Sequence, residues 1–429
     1  MRTPDQTAPV QAPLLSPRHC CAAWSHAVTT IDESTPPDLS HTALFLRFLR
    51  FGLLAFGGPV AQIAMIRREL VEQEGWISGA RFNRLLAVLQ VLPGPEAHEL
   101  CVHLGMRAKG RIGGLLAGLG FMTPGLILML GIGWIYVSLA PFVALLTGAF
   151  LGIQAAVVAI IVRAVHKIGA HILEDRWLWA VATVGFAATL YGVAFWIVLL
   201  AAGSAYALIA GRRFVLAGVV IAAAATLAVW LHPVVQGALP ADTVVTGEVA
   251  TGTLAMFWTG LKAGLLTFGG AYTAIPYVRA DTVGRGLIDD GTFLDGVAFA
   301  GVIPAPLVIF CTFVGFVAGG WTGALAMTAG VFLPAFAFSM IFYERLEAIV
   351  ADPRLHQLLA GVAAAVVGII AATSLQLGWG TLQRAPSIPA AVAIFIAALA
   401  AVWFWKSRYA GPVVLASAGL AGWLVFRAA

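Results

Sequence analysis

Pro93-Gly94-Pro95 is followed at once by Glu96, His98 and Glu99, inside a stretch otherwise made of Leu, Val, Ala and Cys. Two carboxylates and an imidazole are groups that bind and release protons, and ionisable side chains among apolar neighbours are candidates for proton coupling. A satisfied polar cluster is the other reading. His103 lies five residues beyond His98, about 140° round a helix, whereas a His-Glu-x-x-His zinc pair sits one turn apart. No metal is expected. Two prolines two apart cannot lie in an undistorted helix interior, and Pro304-Ala305-Pro306 repeats the pattern. Each pair is expected to split its segment into half-helices, whose N-termini present N–H groups and a positive dipole end to an anion. A plain kink is the alternative. Gly57-Gly58-Pro59 and Gly269-Gly270 place further breakers in apolar segments, where close helix packing competes with an unwound binding backbone. Arg50 and Lys262 each stand six residues before a Phe-Gly-Gly. A cation there either snorkels to the interface or faces a cavity. With Gly94, Pro95, Pro304 and Pro306, these residues make a candidate site for an anion.

The elements that must position them follow from composition. Of 429 residues 60% are hydrophobic and 10% charged, against about 25% charged in an average soluble domain. A soluble surface cannot be covered with so few charges, so one polytopic, all-α membrane protein is expected, lying in a lipid bilayer and binding no nucleic acid. Ile112–Val162 and Gly296–Tyr343 hold no Asp, Glu, Lys or Arg. Each is too long for one crossing of a ~30 Å core. They divide at Ser138–Pro141 and at Gly319–Gly320. Trp177–Gly211 divides near Tyr191-Gly192. With Thr42–Ile66, Arg84–Gly105, Phe214–Leu231, Thr253–Val278, Leu355–Leu377, Ser387–Trp405 and Tyr409–Phe426 as single crossings, the chain reads as 13 transmembrane helices. Basic loops put the N-terminus in the cytoplasm. The loop with Arg67, Arg68, Arg81 and Arg84 opposes that rule on this count.

The sequence repeats itself. Phe51 to Pro59 matches Ala263 to Ala271 at an offset of 212, and Cys101, Gly105, Gly120 and Pro124 match Cys311, Gly315, Gly330 and Pro334 at 210. Six helices, a connecting helix and six more put equivalent helices seven apart, so the halves enter the membrane in opposite directions, a recurring build of secondary transporters. The expected divisions are a flexible tail at 1–40, a first repeat at 41–211, a connector at 212–250 and a second repeat at 251–429. Arg67 and Arg68, with Arg279 in the repeat, are expected in two charged vestibules, against the default of a solvated loop. No Walker A, GxSxG or nucleotide fingerprint occurs. No cofactor, no catalytic residue and no enzyme activity is expected.

Phe-Gly-Gly-Pro, Arg-Arg-Glu-Leu followed by Gly-Trp-Ile, Leu-Pro-Gly-Pro-Glu-Ala-His-Glu, and Pro-Ala-Pro in the second half resemble the long-chain chromate transporter family, over residues of about 40–427. The resemblance implies a bacterial inner-membrane protein of two oppositely oriented homologous halves. It further implies export of chromate from the cytoplasm, conferring resistance, driven by the membrane potential or a proton gradient. It leaves room for a homodimer. Chromate and sulfate are tetrahedral dianions that the same donors suit, and a sulfate or other oxyanion carrier, an importer included, stands as the alternative.

Overall fold

The computed structural model describes residues 36–56, 58–89, 92, 94–139, 146–237, 252–267, 271–341, 353–405, 407 and 409–426. The tail expected at 1–40 therefore falls almost wholly outside the described residues, as do Gly57, Pro93, Gly269 and Gly270. Among the described residues there are fifteen α-helices and no strand. The first seven are α1 (His41–Leu53), α2 (Gly58–Ile66), α3 (Gly79–Leu89), α4 (Glu96–Ser138), α5 (Thr147–Ile172), α6 (Arg176–Leu190) and α7 (Phe195–Ala210). After α8 (Phe214–Gly237) the series recurs as α9 (Thr253–Leu265), α10 (Ala274–Thr282), α11 (Asp290–Val302), α12 (Phe310–Ile341), α13 (Pro353–Arg384), α14 (Ile388–Phe404) and α15 (Ala410–Phe426). Glu96–Ser138, Thr147–Ile172, Leu307–Ile341 and Gln357–Arg384 are long and apolar enough to cross a membrane, and α7, α14, α15 and the Phe214–Trp230 part of α8 are shorter apolar helices. This is a polytopic helical membrane architecture. The helix ends expected at Ser138 and near Tyr191-Gly192 are present.

Four expected crossings are replaced by hairpins. A straight helix would separate Arg50 from Glu69 by about 28 Å, yet their side chains lie 3.4 Å apart and Arg47 also pairs with Glu74. The chain must turn back between α1 and α2, so Thr42–Ile66 is not one crossing. The turn is sealed by Trp76, whose ring packs on Phe48 at 6.3 Å. The Lys262–Asp281 pair demands the same reversal between α9 and α10. Arg81 lies within electrostatic reach of His103, so α3 returns as the first part of α4. Phe293 on Phe310 at 5.7 Å and Phe299 on Phe313 at 5.4 Å fold α11 back against α12.

Two further reversals are hidden inside long helices. Lys109 and Gly110 have φ of −142° and 60°, and Gly319 and Gly320 have −147° and 62°. Both second positions need a left-handed residue, which glycine supplies without a Cβ clash. After the first kink Gly105 meets Gly113; after the second, Thr312 Oγ1 and Thr328 Oγ1 are 2.7 Å apart. The break expected at Gly319–Gly320 is there, and its partner at Lys109–Gly110 is 210 residues earlier. Helices are also exchanged between halves. Helix α5 packs on α14 and α15, and α13 packs on α6 and α7.

Small residues permit these approaches. A Cβ on Gly120 would lie 2.7 Å from the Phe45 carbonyl and 3.0 Å from the Leu49 nitrogen, whereas one on Gly131 meets nothing within 4 Å. Gly120→Val is expected to destabilise by about 1–3 kcal/mol, the usual range for overpacking, with Gly131→Val near neutral. Thermal unfolding in detergent would check this, and equal melting temperatures for both variants would contradict the packing described.

Candidate functional site

The hairpin tips of one half meet those of the other. The Gly94 N–H donates to the Thr267 carbonyl at 2.8 Å, joining the Pro-Gly-Pro tip to the second Phe-Gly-Gly tip. In the mirrored contact, Gln62 Nε2 donates to the Ala55 carbonyl at 2.9 Å and the Ala305 carbonyl at 3.0 Å. Gln62 is 1% exposed, so these two carbonyls are satisfied without water. Helices α2 and α4 begin at the tips, with Gly58-Pro59 and Pro95 at their starts, where proline costs no helix hydrogen bond. The positive ends of both helix dipoles therefore point toward the meeting place. Pro304 and Pro306 flank the Ala305 carbonyl and stay outside regular helix.

The expected proton-handling residues lie beside these tips. Glu96, His98 and Glu99 are all buried, the last two completely. A Cβ on Gly94 would collide with the Glu99 carboxyl, so glycine at the tip leaves space that the carboxyl fills. Neither Glu99 oxygen has a hydrogen-bond partner. The His98 ring stands between Phe332 and Phe336 of the second half, at 4.9 and 4.7 Å, with Phe121 at 6.5 Å. The Gly118 backbone is beside it, but neither ring nitrogen makes a hydrogen bond of normal geometry. Unpaired buried carboxyl oxygens are costly in an apolar setting, and this cost is concentrated where the halves meet.

The two expected anion-binding cations do not stand free. Arg50 lies 3.4 Å from Glu69, and Lys262 pairs with Asp281. Both pairs are separated by 19 residues, and both members shift by 212 between the halves. A cation in apolar surroundings requires a countercharge. In this arrangement the next helix supplies it. Arg67 lies 3.5 Å from Glu72 and 3.3 Å from Asn83 Oδ1, and Arg68 is exposed. Arg279 is held more firmly, by a bidentate bond to Asp290 at 2.7 and 2.9 Å and by Gln376 at 3.1 Å. Among the described residues no cluster of His, Cys, Asp and Glu could hold a metal.

Sequence reasoning missed Gln62 and Asp295, and it did not pair Glu69 with Arg50 or Asp281 with Lys262 as countercharges. Repeat alignment would have found these two countercharges, because each lies 19 residues after an aligned cation. Asp295 is the last acidic residue before a 48-residue uncharged run. Gln62 has no sequence signal; only tertiary contact reveals it. An apolar groove of about 390 Å³ lies elsewhere, between α5, α13 and α14, and its lining offers an anion no charge.

The sequence matches the family described as Chromate transporter over residues 42–208 and 254–423. It is 58% identical over 406 residues to the chromate transport protein of Pseudomonas aeruginosa, covering 94% of this chain and 96% of that one. It is 29% identical to the chromate transport protein of Cupriavidus metallidurans, covering 91% and 95%. The probable chromate transport protein of Synechococcus elongatus is 28% identical, with 90% and 96% covered. No solved structure matches.

Gln62→Leu removes the donor of two buried carbonyls and is expected to cost about 1–3 kcal/mol. A melting temperature unchanged from wild type would mean that Gln62 does not tie the halves together.

Proposed function

The chain belongs to the chromate transporter family, and on that premise we propose that it exports chromate from the cytoplasm by alternating access, conferring resistance in the inner membrane of a bacterium. One observation carries the site: broken helix tips of opposite halves are bonded to each other, at Gly94–Thr267 and through Gln62 at Ala305, with helix N-termini and the buried Glu99 carboxyl beside them. Such tips suit a dianion, because half-helix dipoles and backbone donors stabilise negative charge without a permanent positive partner.

The hairpins support an inverted arrangement. If the four hairpins return to the face they leave, nine crossings remain: the second arms of α4 and α12, and α5, α6, α7, α8, α13, α14 and α15. Five of these separate equivalent hairpins, an odd number, so the repeats at 41–211 and 251–429 oppose each other. On this count Arg67, Arg68, Arg81 and Arg84 fall on the cytoplasmic side with Arg107, Lys109 and Arg111, and the first loop obeys the positive-inside rule. Arg279 and Arg285 move to the outer face, among Asp281, Asp289 and Asp290.

The matched ion pairs then guard opposite faces. Arriving chromate competes with Glu69 for Arg50 on the inner side, and the Lys262–Asp281 pair opens on the outer side to release it. Glu96, His98 and Glu99 bind any coupled proton. Sulfate shares the charge and shape, and nothing in the donor set separates the two anions, so an oxyanion carrier of broader range is the second reading.

Everted vesicles given labelled chromate provide the test. Energy-dependent accumulation, abolished by a protonophore, is expected, and excess sulfate measures selectivity. No accumulation in vesicles that contain the protein would overturn export. Lys262→Ala is expected to insert normally and to lose transport. Normal chromate resistance in cells expressing that variant would remove Lys262 from the path.

A further inference from the structure

Another buried carboxylate lies away from the tips. Asp295, on α11, is 3% exposed. Its two oxygens accept one hydrogen bond each, from Tyr136 Oη on α4 at 2.9 Å and from Gln154 Nε2 on α5 at 2.9 Å. No cation lies within ion-pair distance of it among the described residues. Three aromatic rings, Phe150, Phe299 and Phe313, close around Tyr136 at 5.9, 6.2 and 5.1 Å. A carboxylate so placed is expensive in a membrane protein unless it has a task.

The partners are suited to two protonation states. With Asp295 ionised, the hydroxyl and the amide both donate to it, as observed. With Asp295 protonated, its new O–H needs an acceptor, and two are at hand. The Tyr136 oxygen accepts once its own hydrogen rotates away, and Gln154 Oε1, buried with no partner, accepts once the amide turns over and gives up its 3.4 Å bond to the Gly291 carbonyl. Side-chain rotation therefore accommodates the proton without any backbone movement. A carboxylate that served only as a structural acceptor would not need this spare capacity.

The surroundings leave few other titratable groups. On α11 itself, Asp289 and Asp290 lie nearer the helix start, held by Arg384 at 3.6 Å and by Arg279 respectively. Asp289 and Arg384 are the charges that act on Asp295 electrostatically. Helix α12 presents Phe313, and neither α15 nor the 3-10 turn Leu307–Ile309 contains an ionisable residue. The aligned position in the first half, 211 residues earlier, is Arg84, so the feature belongs to the second half alone.

We propose that Asp295, with Tyr136 and Gln154, forms a proton-binding site of the second half, distinct from Glu96, His98 and Glu99. The ligand is a proton, taken up on a carboxylate lone pair and released from the resulting hydroxyl. The proposal deepens the reading as a transporter, since it adds a carrier for the coupled ion.

The test uses purified protein in liposomes with an entrapped pH dye. Wild type is expected to move protons as chromate runs down its gradient. Asp295→Asn keeps the shape and an acceptor but cannot ionise. It is expected to retain chromate–chromate exchange while the protons moved per chromate fall below the wild-type number. Proton movement equal to wild type would overturn the proposal, as would loss of exchange and proton movement together in a variant that folds normally. Infrared difference spectra across pH read the carboxyl directly. A carboxyl C=O band should titrate in wild type, shift in Tyr136→Phe and be missing in Asp295→Asn. Identical bands in all three would overturn the site, even if one variant were unstable. A titrating band in a protein without chromate flux would uphold the proton site and overturn the transport reading instead.

Discussion

Backbone polar groups exposed by a broken helix inside a membrane have no water to satisfy them. Among the described residues the molecule answers that constraint at two junctions with one device, in which the tip region of a hairpin in one half is bonded to one in the other. Gly94 gives its N–H to Thr267, and Gln62 bridges Ala55 and Ala305. The Gly94 N–H and the Ala305 carbonyl each find their partner in the opposite half, so these bonds tie the two halves together. The bonds there join neutral groups, which makes them exchangeable at modest cost. A carrier needs a centre of that kind, closed tightly enough to exclude lipid and loosely enough to exchange its contacts.

Charge follows a related logic. Arg50 with Glu69 and Lys262 with Asp281 are internal pairs whose cations stand in the last turn of α1 and of α9. Their strength is reduced by solvent at the more exposed member. Arg50 is 61% exposed in its side chain, whereas Lys262 is 25%, so the two pairs are not equivalent in energy although they are equivalent in sequence. Exposed pairs contribute roughly 0–1 kcal/mol, and such pairs can be exchanged for pairs with an anion. The cost of uncompensated groups is instead placed deep, at Glu99, beside the surface where the halves meet.

The repeats keep their two ion pairs but depart from symmetry at other titratable groups. The first half places Glu96, His98 and Glu99 after its Pro-Gly-Pro, where the second has Leu307, Ile309 and Phe310. The second half places Asp295 where the first has Arg84. Backbone architecture is shared down to the φ values of the kinks at Gly110 and Gly320, and the pairs Arg50–Glu69 and Lys262–Asp281 are shared too, while Glu96, His98, Glu99 and Asp295 have no titratable counterpart of the same kind.

Much of this was legible in the residues alone. Hydropathy gave a membrane protein, because too few charges exist to cover a soluble surface. The repeat, the Pro-x-Pro and Phe-Gly-Gly breaks, and the reversal at Gly319–Gly320 all follow from residue types with strong backbone preferences. Hydropathy could not tell a crossing from a hairpin, because Thr42–Ile66 and Arg84–Gly105 are equally apolar either way. Arg50–Glu69 and Arg47–Glu74 decided that, since contacts across 19 and 27 residues have no local signature. The identity of the partners of Arg50 and Lys262, the meeting of opposite tips through Gln62, and the burial of Asp295 between Tyr136 and Gln154 are likewise long-range facts. Local sequence determines where a helix must break, because the breaker acts on its own turn. Only the tertiary structure decides what the broken ends touch, because their partners lie as far as 243 residues away.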